Sequence, residues 1–137
     1  MALTPTVLFD AMIIINAGTI SDHGNKVEIP ITVDDEETTA FGQTWKNRVG
    51  GLKDATLNIT FINDFVAANL DSVIFPLLGT VVTFEIRPTS SARSTGNPAY
   101  TGNVLINSWK PIAGDVGKLV QVDVSWPTSG TVLRQTT

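Results

Sequence analysis

The clearest pattern in the sequence is the alternation of apolar and polar residues, which is typical of β-strands with one buried face. Six segments predict strands: four alternate regularly, one is a continuous apolar run and one is mixed. They lie at residues 11–17, 27–33, 56–61, 81–87, 103–109 and 120–126. Pro30 falls inside the second segment and cannot donate a ladder hydrogen bond, so we expect that strand at a sheet edge or at a bulge.

Residues 65–75 break the strand pattern, because their apolar side chains recur at i, i+4, i+7 and i+8. This spacing predicts one short amphipathic helix. We expect Asn63 or Asp64 to cap its first turn and Pro76 to stop it. The residues that carry the spacing are Val66, Leu70, Val73 and Ile74.

The order of these elements, with strands before and after a single helix, predicts a mainly β fold. We expect an antiparallel β-sandwich or barrel with one flanking α-helix. The chain has 137 residues, of which 42% are hydrophobic and 16% are charged. This length supports one hydrophobic core without disulfides, so residues 1–137 are predicted to form a single domain.

Two segments predict long loops. Residues 34–51 would form a loop of unusual length for a compact domain, which favours a contact arm. Its two glycines, Gly50 and Gly51, would let the arm leave the sheet. Residues 88–99 are rich in Ser, Thr, Gly, Asn and Pro, a composition that predicts a mobile loop.

The charge and the ends of the chain exclude several classes of protein. A net charge of −4 and a pI near 4.7 argue against ordinary binding to a phosphate backbone, which needs Lys and Arg. The N-terminus lacks the basic and apolar regions of a secretory signal. The longest apolar run, residues 11–15, is too short to span a bilayer. We therefore expect a soluble protein that is made in the cytoplasm and does not insert into membranes.

Candidate catalytic and metal-binding groups are few. There is no cysteine, and the one histidine, His23, lies in "SDHGNK", which predicts a hairpin turn. The run "DDEE" at 34–37 lacks the spacing of a calcium loop and predicts a solvated acidic loop. "GDVGK" at 114–118 lacks the full spacing of a phosphate loop. No pair of carboxylates converges, so we expect no enzyme activity, no metal and no cofactor.

Two apolar features indicate contacts between subunits. The strand "AMIIINA" is apolar on both faces, either because the helix covers it or because one face meets a neighbouring subunit. The aromatic side chains of the first long loop either fold back onto the core or enter an interface. The candidate contact residues are Ile13, Ile15, Phe41, Trp45 and Arg48.

Two long stretches carry a resemblance to a known family. They are "TWKNRVGGLKDATLNITFINDFVAANLDSVIFPLLGTVVTFEIRP" and "NPAYTGNVLINSWKPIAGDVGKLVQVDVSWPTSG". The first stretch has an aromatic loop, "GGLKD", an alternating strand, a helix with a Leu-Asp pair, "LLG" and a strand ending in "RP", and in this order it resembles the major tail (tail tube) proteins of long-tailed bacteriophages. The second stretch is also similar, with a Tyr-Thr-Gly strand, a "P-x-x-G-x-V-G" turn and a strand that closes on a Gly turn. The resemblance covers about residues 40 to 134.

The resemblance implies a structural role in the virion. Proteins of this family form hexameric rings that stack into a hollow tube, through which DNA passes during ejection. It implies that the partners are further copies of the chain and other tail proteins, that sheets of the subunits join into the lumen wall, and that long loops link the rings.

Polar strand faces without Lys or Arg in their middles would give a hydrated wall that repels phosphate. The candidate lumen-facing residues are Thr56, Asn58, Thr60, Thr83, Glu85, Gln121, Asp123 and Ser125.

Two alternatives share parts of this pattern. One is a tube subunit of a secretion or contractile injection apparatus, which would have the same fold and ring. The other is a monomeric β-sandwich that decorates a virion or binds carbohydrate. Such modules usually expose aromatic residues on a binding face, whereas Trp109 and Trp126 lie in strand patterns that predict a place in the core.

Overall fold

The computed structural model describes residues 2–137. These residues form nine β-strands and one short α-helix. The elements are β1 (Met12–Ile15), β2 (Gly18–Thr19), β3 (Gly24–Glu28), β4 (Ile31–Glu37), β5 (Arg48–Ile62), α1 (Leu70–Ile74), β6 (Val81–Arg87), β7 (Ala99–Leu105), β8 (Gln121–Pro127) and β9 (Leu133–Gln135).

The strands form two antiparallel sheets. The first, which we call the five-stranded sheet, has the order β2-β1-β6-β7-β9. In the second, which we call the β5 sheet, β5 lies between β8 on one side and the consecutive strands β3 and β4 on the other. β3 and β4 share one edge of β5, since the pairs Glu28–Asn58 and Ile31–Ala55 continue the same register. The predicted antiparallel β-sandwich with one flanking helix is thus confirmed.

The core lies between the two sheets, as the alternating pattern requires. Trp126 is fully buried, and its indole N–H donates to the carbonyl of Ser108 at 2.9 Å. Its ring lies 6.1 Å from that of Phe61, which also contacts the half-buried Trp109 at 6.0 Å between centroids. Trp126 therefore belongs to the core, as predicted, and Trp109 packs against the core from the loop after β7, because the strand predicted at 103–109 instead ends at Leu105.

The helix is shorter than the predicted range of 65–75. It begins at Leu70, and a 3-10 turn over Phe75–Leu77 follows it. Ala68 has a φ of +67°, a left-handed conformation that cannot continue a right-handed helix. The predicted cap is also wrong, because Asp64 accepts the Val66 amide at 2.9 Å and closes a turn ahead of the helix.

The predicted loop over 34–51 is instead mostly a β-hairpin. β4 continues to Glu37 and β5 begins at Arg48, so that only residues 38–47 connect them. The acidic run 34–37 therefore lies in a strand. Gly50 and Gly51 lie at a bulge, where the pairs Val33–Lys53 and Asp35–Gly50 leave one extra residue on β5. A Cβ on Gly51 would lie 3.3 Å from the Asp34 carbonyl, so the glycine accommodates the bulge and is not a hinge.

The segment between β6 and β7, where we predict a mobile loop, is organised around Asn97. This side chain is buried; its carbonyl oxygen accepts the Thr89 amide at 3.0 Å, and its amide donates to the carbonyls of Ser91 and Ala92 at 2.9 and 3.3 Å. Ala99 already belongs to β7. The mobility of residues 88–98 stays a prediction, but their backbone is held by one side chain.

Replacement of Asn97 by alanine is expected to lower the free energy of unfolding by about 1–3 kcal/mol, since it removes the hydrogen bonds that this buried side chain makes to the backbone of Thr89, Ser91 and Ala92. It should also make residues 88–98 more sensitive to protease. Urea denaturation and limited proteolysis measure the two effects. Thr95→Ala is the control, because Thr95 is exposed and its side chain makes no hydrogen bond within residues 2–137. Equal behaviour of the two variants would contradict the anchoring role of Asn97.

Candidate assembly surfaces

The largest exposed feature is a two-stranded ribbon, which we define as residues 31–54. It comprises β4, the connecting loop and the first half of β5, and every residue in it is exposed. β8 pairs with β5 only over residues 56–62. Within residues 2–137, β4 is therefore the one partner strand of the first half of β5, and the ribbon extends beyond the sandwich without a core of its own.

The tip of the ribbon presents two aromatic side chains to solvent. The Gln43 amide donates to the Ala40 carbonyl at 3.3 Å, and Gly42 has a φ of +86°, as the third position of a type II turn requires. Phe41, at the second position, is fully exposed, and Trp45 is 84% exposed. In the isolated chain, then, neither ring folds back onto the core.

The charges along the ribbon are paired loosely. Arg48 Nε lies 3.7 Å from Asp35 Oδ2, and Lys46 Nζ lies 3.7 Å from Glu37 Oε1. Exposed pairs of this kind contribute at most about 1 kcal/mol each. The salt bridges therefore orient the ribbon's side chains but cannot replace the missing core.

Two of the predicted contact residues are not at the surface. Ile13 and Ile15 on β1 are only 3% and 0% exposed, and both belong to the core. Their burial corrects the idea that they contact a neighbouring subunit. One face of β1 lies in the core, while Met12 and Ile14 on the other face are half-buried.

Six of the eight predicted lumen-facing residues share the outer face of the β5 sheet. The pairs Asn58–Ser125 and Thr60–Asp123 lie side by side on β5 and β8. The alternation of β3 adds Lys26 and Glu28, which pair with Thr60 and Asn58. We call this surface the polar face; its residues are Lys26, Glu28, Thr56, Asn58, Thr60, Gln121, Asp123 and Ser125.

The other two predicted residues lie on the opposite side of the sandwich. Thr83 and Glu85 belong to β6 and point outward from the five-stranded sheet. The Glu85 carboxylate pairs with Arg87 at 3.0 Å and with Arg93, which reaches over from the segment 88–98. The eight residues therefore lie on two separate faces of the sandwich, and their position in a lumen stays a prediction.

Three cations lie on or next to these faces and are not among the predicted site residues: Lys26, Arg87 and Arg93. Lys26 alternates with the apolar Val27, so the strand period could have placed it on the polar face. Arg93 lies in a segment without periodicity, and no local signal connects it to Glu85. Its contact depends on how the segment 88–98 folds back over the sheet.

The remaining polar groups hold turns together. His23 lies in the 3-10 turn Ser21–His23 between β2 and β3, and its ring nitrogens are 2.9 Å from Asp22 and 3.6 Å from Asp64. The Val66 amide, and then Asn69 and His23, hold the pKa of Asp64 below its ordinary value. Residues 2–137 contain no group of three or more side chains that could hold a metal ion.

The Ser90 hydroxyl and amide likewise lower the pKa of Asp10 and connect the N-terminal segment to the segment 88–98.

No helix in the described chain combines the length and the apolar composition needed to cross a bilayer.

Comparison with known proteins supports the fold. No protein-family model matches the sequence, and no curated protein is similar to it. Among solved structures, a chain of the virion of a native gene transfer agent (GTA) particle superposes with a TM-score of 0.73 at 14% identity. The match covers 92% of this chain and 95% of that chain. The two chains therefore share one fold over nearly their whole length.

Proposed function

We propose that this chain is a structural subunit of a bacteriophage tail tube. Copies would form stacked rings, six to a ring as the resemblance implies, around a hollow conduit for DNA. The observation that carries the proposal is the ribbon of residues 31–54, which is regular β-structure and yet fully exposed. The fold shared with a chain of a GTA virion supports a place in a virion, and the sequence resemblance supports the tail.

The ribbon needs a partner for physical reasons. A two-stranded hairpin without a covering layer is at best marginally stable in water. Aromatic side chains such as those of Phe41 and Trp45 are enriched at the buried centres of interfaces. We therefore assign the ribbon to contact with further copies of the chain, with Phe41, Trp45 and Arg48 as its contact residues.

The edges of the β5 sheet favour a ring. Its outer strands are β8 on one side and β3 with β4 on the other, and unpaired edges of this kind invite pairing with another chain. A contact between two different surfaces of identical subunits closes into a ring when its rotation permits. Neighbouring subunits would continue the sheet and remove both edges.

A monomeric binding module fits the tryptophans less well. Trp126 is buried, and Trp109 packs against Phe61 while its indole donates to Asp71 at 3.0 Å. Of the three tryptophans, only Trp45 is exposed, and it lies at the ribbon tip. The proposed role is therefore non-enzymatic self-assembly, with other tail proteins as further partners, in a virion tail built in the host cytoplasm.

Electron microscopy of the purified protein tests the proposal. We expect rings or tubes from the natural chain. Replacement of residues 38–47 by Asn-Gly should leave a monomer with unchanged far-UV circular dichroism, because Glu37 and Arg48 are paired and a two-residue turn can join them. Persistent monomers of the natural chain at high concentration, or normal assembly of the shortened chain, would refute the proposal.

A further inference from the structure

We infer that the ribbon tip of one copy binds in a groove between β1 and β3 of the next copy, with its aromatic side chains inside and Lys46 against Asp22. The groove has a volume of about 500 Å³, and we call it the β1–β3 groove. It is lined by residues 8–13, Thr19, Ser21, Asp22, residues 24–27 and Ser90. The inference rests on the proposed function, which assigns the ribbon to contact with further copies, and it names the surface that receives the tip.

The β1–β3 groove offers an apolar lining to aromatic rings. Ile13 is buried in the core, and Met12 and Val27 are half-buried. Phe9 and Leu8, from the N-terminal segment, are exposed. A cavity of about 150 Å³ is enough for a benzene ring, so a groove of about 500 Å³ has room for both aromatic side chains of the tip. Binding of the tip would cover apolar surface that the isolated chain leaves in water.

The charge of the β1–β3 groove is negative. Its lining carries two carboxylates, of Asp10 and Asp22, and one ammonium group, of Lys26. Neither carboxylate forms a salt bridge with a lysine or an arginine within residues 2–137, and the side chain of Asp22 is 80% exposed. The carboxylate of Glu28 lies beside the groove, 3.1 Å from the Lys26 ammonium. The groove therefore favours a cationic occupant.

The tip of the ribbon is cationic. Residues 38–48 contain Lys46 and Arg48 and no carboxylate side chain. Lys46 directly follows Trp45, and its ammonium lies 3.7 Å from the carboxylate of Glu37. An exposed pair of this kind contributes little and can be exchanged for another partner. Charge complementarity thus supports the tip of another copy as the occupant of the groove.

A second exposed apolar surface suits the tip less well. It lies in the loop between β7 and β8, and its exposed apolar residues are Ile112, Val116 and Leu119. This loop carries two ammonium groups, of Lys110 and Lys118, and one carboxylate, of Asp115. Its net positive charge would oppose that of the tip.

A chain cannot place its ribbon tip in its own groove. Gly24 of the groove lining is paired with Phe61, near the end of β5. Glu37, next to the tip, is paired with Arg48 at the start of the same strand. At about 3.3 Å per residue, β5 separates the two pairs by about 40 Å. The contact between tip and groove therefore needs two copies.

The contact is head-to-tail, because the tip and the groove are different surfaces at opposite ends of β5. Each copy would receive the tip of one neighbour and give its own tip to another. Repetition of such a contact makes an open stack rather than a closed pair. In a tube it would join one ring to the next and give the stack a direction.

Cross-linking between single cysteines tests the contact, since the natural chain contains no cysteine. Thr44→Cys marks the tip and Asn25→Cys marks the groove; both positions are exposed. A short bismaleimide should join the two variants to each other in mixed assemblies, and mass spectrometry identifies the linked peptides. Neither variant alone should be joined, because the two surfaces differ. Val116→Cys, in the loop between β7 and β8, is the control and should not be joined to Thr44→Cys.

Charge reversal tests the pairing of Lys46 with Asp22. Asp22→Lys should raise the protein concentration needed for assembly by about tenfold, because it sets like charges against each other. Lys46→Glu in the same chain should restore most of the loss. Asp115→Lys is the matched control: it changes the net charge equally, from −4 by two to −2, and should have little effect. Sedimentation velocity measures assembly, and thermal unfolding verifies that each variant is folded.

The outcomes separate this inference from the proposed function. Tubes in which Thr44→Cys is joined to Val116→Cys, or to neither partner, would overturn the inference alone, because another surface or another protein would then receive the tip. Equal effects of Asp22→Lys and Asp115→Lys would overturn it too. Tip-to-groove cross-links in a protein that never forms rings or tubes would refute the proposed function and leave the contact in place. Absence of both cross-links and tubes would refute both.

Discussion

Trp126→Ala is expected to lower the free energy of unfolding by about 3–5 kcal/mol, the range found when a large buried aromatic is deleted. The side chain is 0% exposed, contacts Phe61 and donates to Ser108. Its removal leaves a cavity between the sheets and an unpaired carbonyl. A domain is stable by only about 5–15 kcal/mol, so this one change removes a large share. Chemical denaturation followed by far-UV circular dichroism measures it.

Two comparison variants make this prediction specific. Trp126→Phe keeps an aromatic ring but loses the hydrogen bond to Ser108, so an intermediate loss is expected. Trp45→Ala should change the free energy of unfolding by less than about 0.5 kcal/mol, because the ring lies in solvent. A loss for Trp45→Ala as large as that for Trp126→Ala would mean that Trp45 belongs to the core.

Replacement of both Phe41 and Trp45 by alanine should have the largest effect on assembly. If each aromatic side chain contributes about 2 kcal/mol to the binding free energy, their loss would raise the protein concentration needed for assembly by about a thousandfold. The folded subunit should be unaffected, since both side chains are exposed. Sedimentation velocity over a concentration series measures the onset of assembly, and circular dichroism verifies the fold.

Phe75→Ala is the matched control, because Phe75 is an exposed aromatic in the 3-10 turn after α1 and lies outside the ribbon. It should assemble at close to the natural concentration. If Phe75→Ala delayed assembly as much as the double variant, exposed aromatic area in general would drive association. Normal assembly of the double variant would remove the ribbon tip from the interface.

Much of the sandwich could be predicted because its strands are half-buried. Alternation identified the outward side chains of β5 and β8, and it put Trp126 on the buried side. The same rule explains why the ribbon was missed. Both of its faces are in solvent, so residues 34–37 need not alternate, and four consecutive acidic residues predict a loop where the structure has a strand.

Other features depend on contacts between distant parts of the chain. Thr83, Glu85 and Asp123 all lie at polar positions between apolar residues of a strand. Only the topology shows that the first two lie on a different sheet from the third. The helix begins later than the pattern predicts because the left-handed Ala68 has no signature in the spacing of apolar residues. Arg93 reaches Glu85 through a loop, for which sequence periodicity carries no information.

The length of β5 has a mechanical consequence. One strand, bulged at Gly50 and Gly51, runs from the exposed ribbon into the centre of the sandwich, where residues 56–62 are hydrogen-bonded to β8. A force applied at the ribbon tip along the strand would therefore load that ladder in shear. Its hydrogen bonds lie across the strand direction and would resist together instead of opening one after another. Tension between neighbouring subunits would thus be carried by the core of each subunit rather than by a flexible tether.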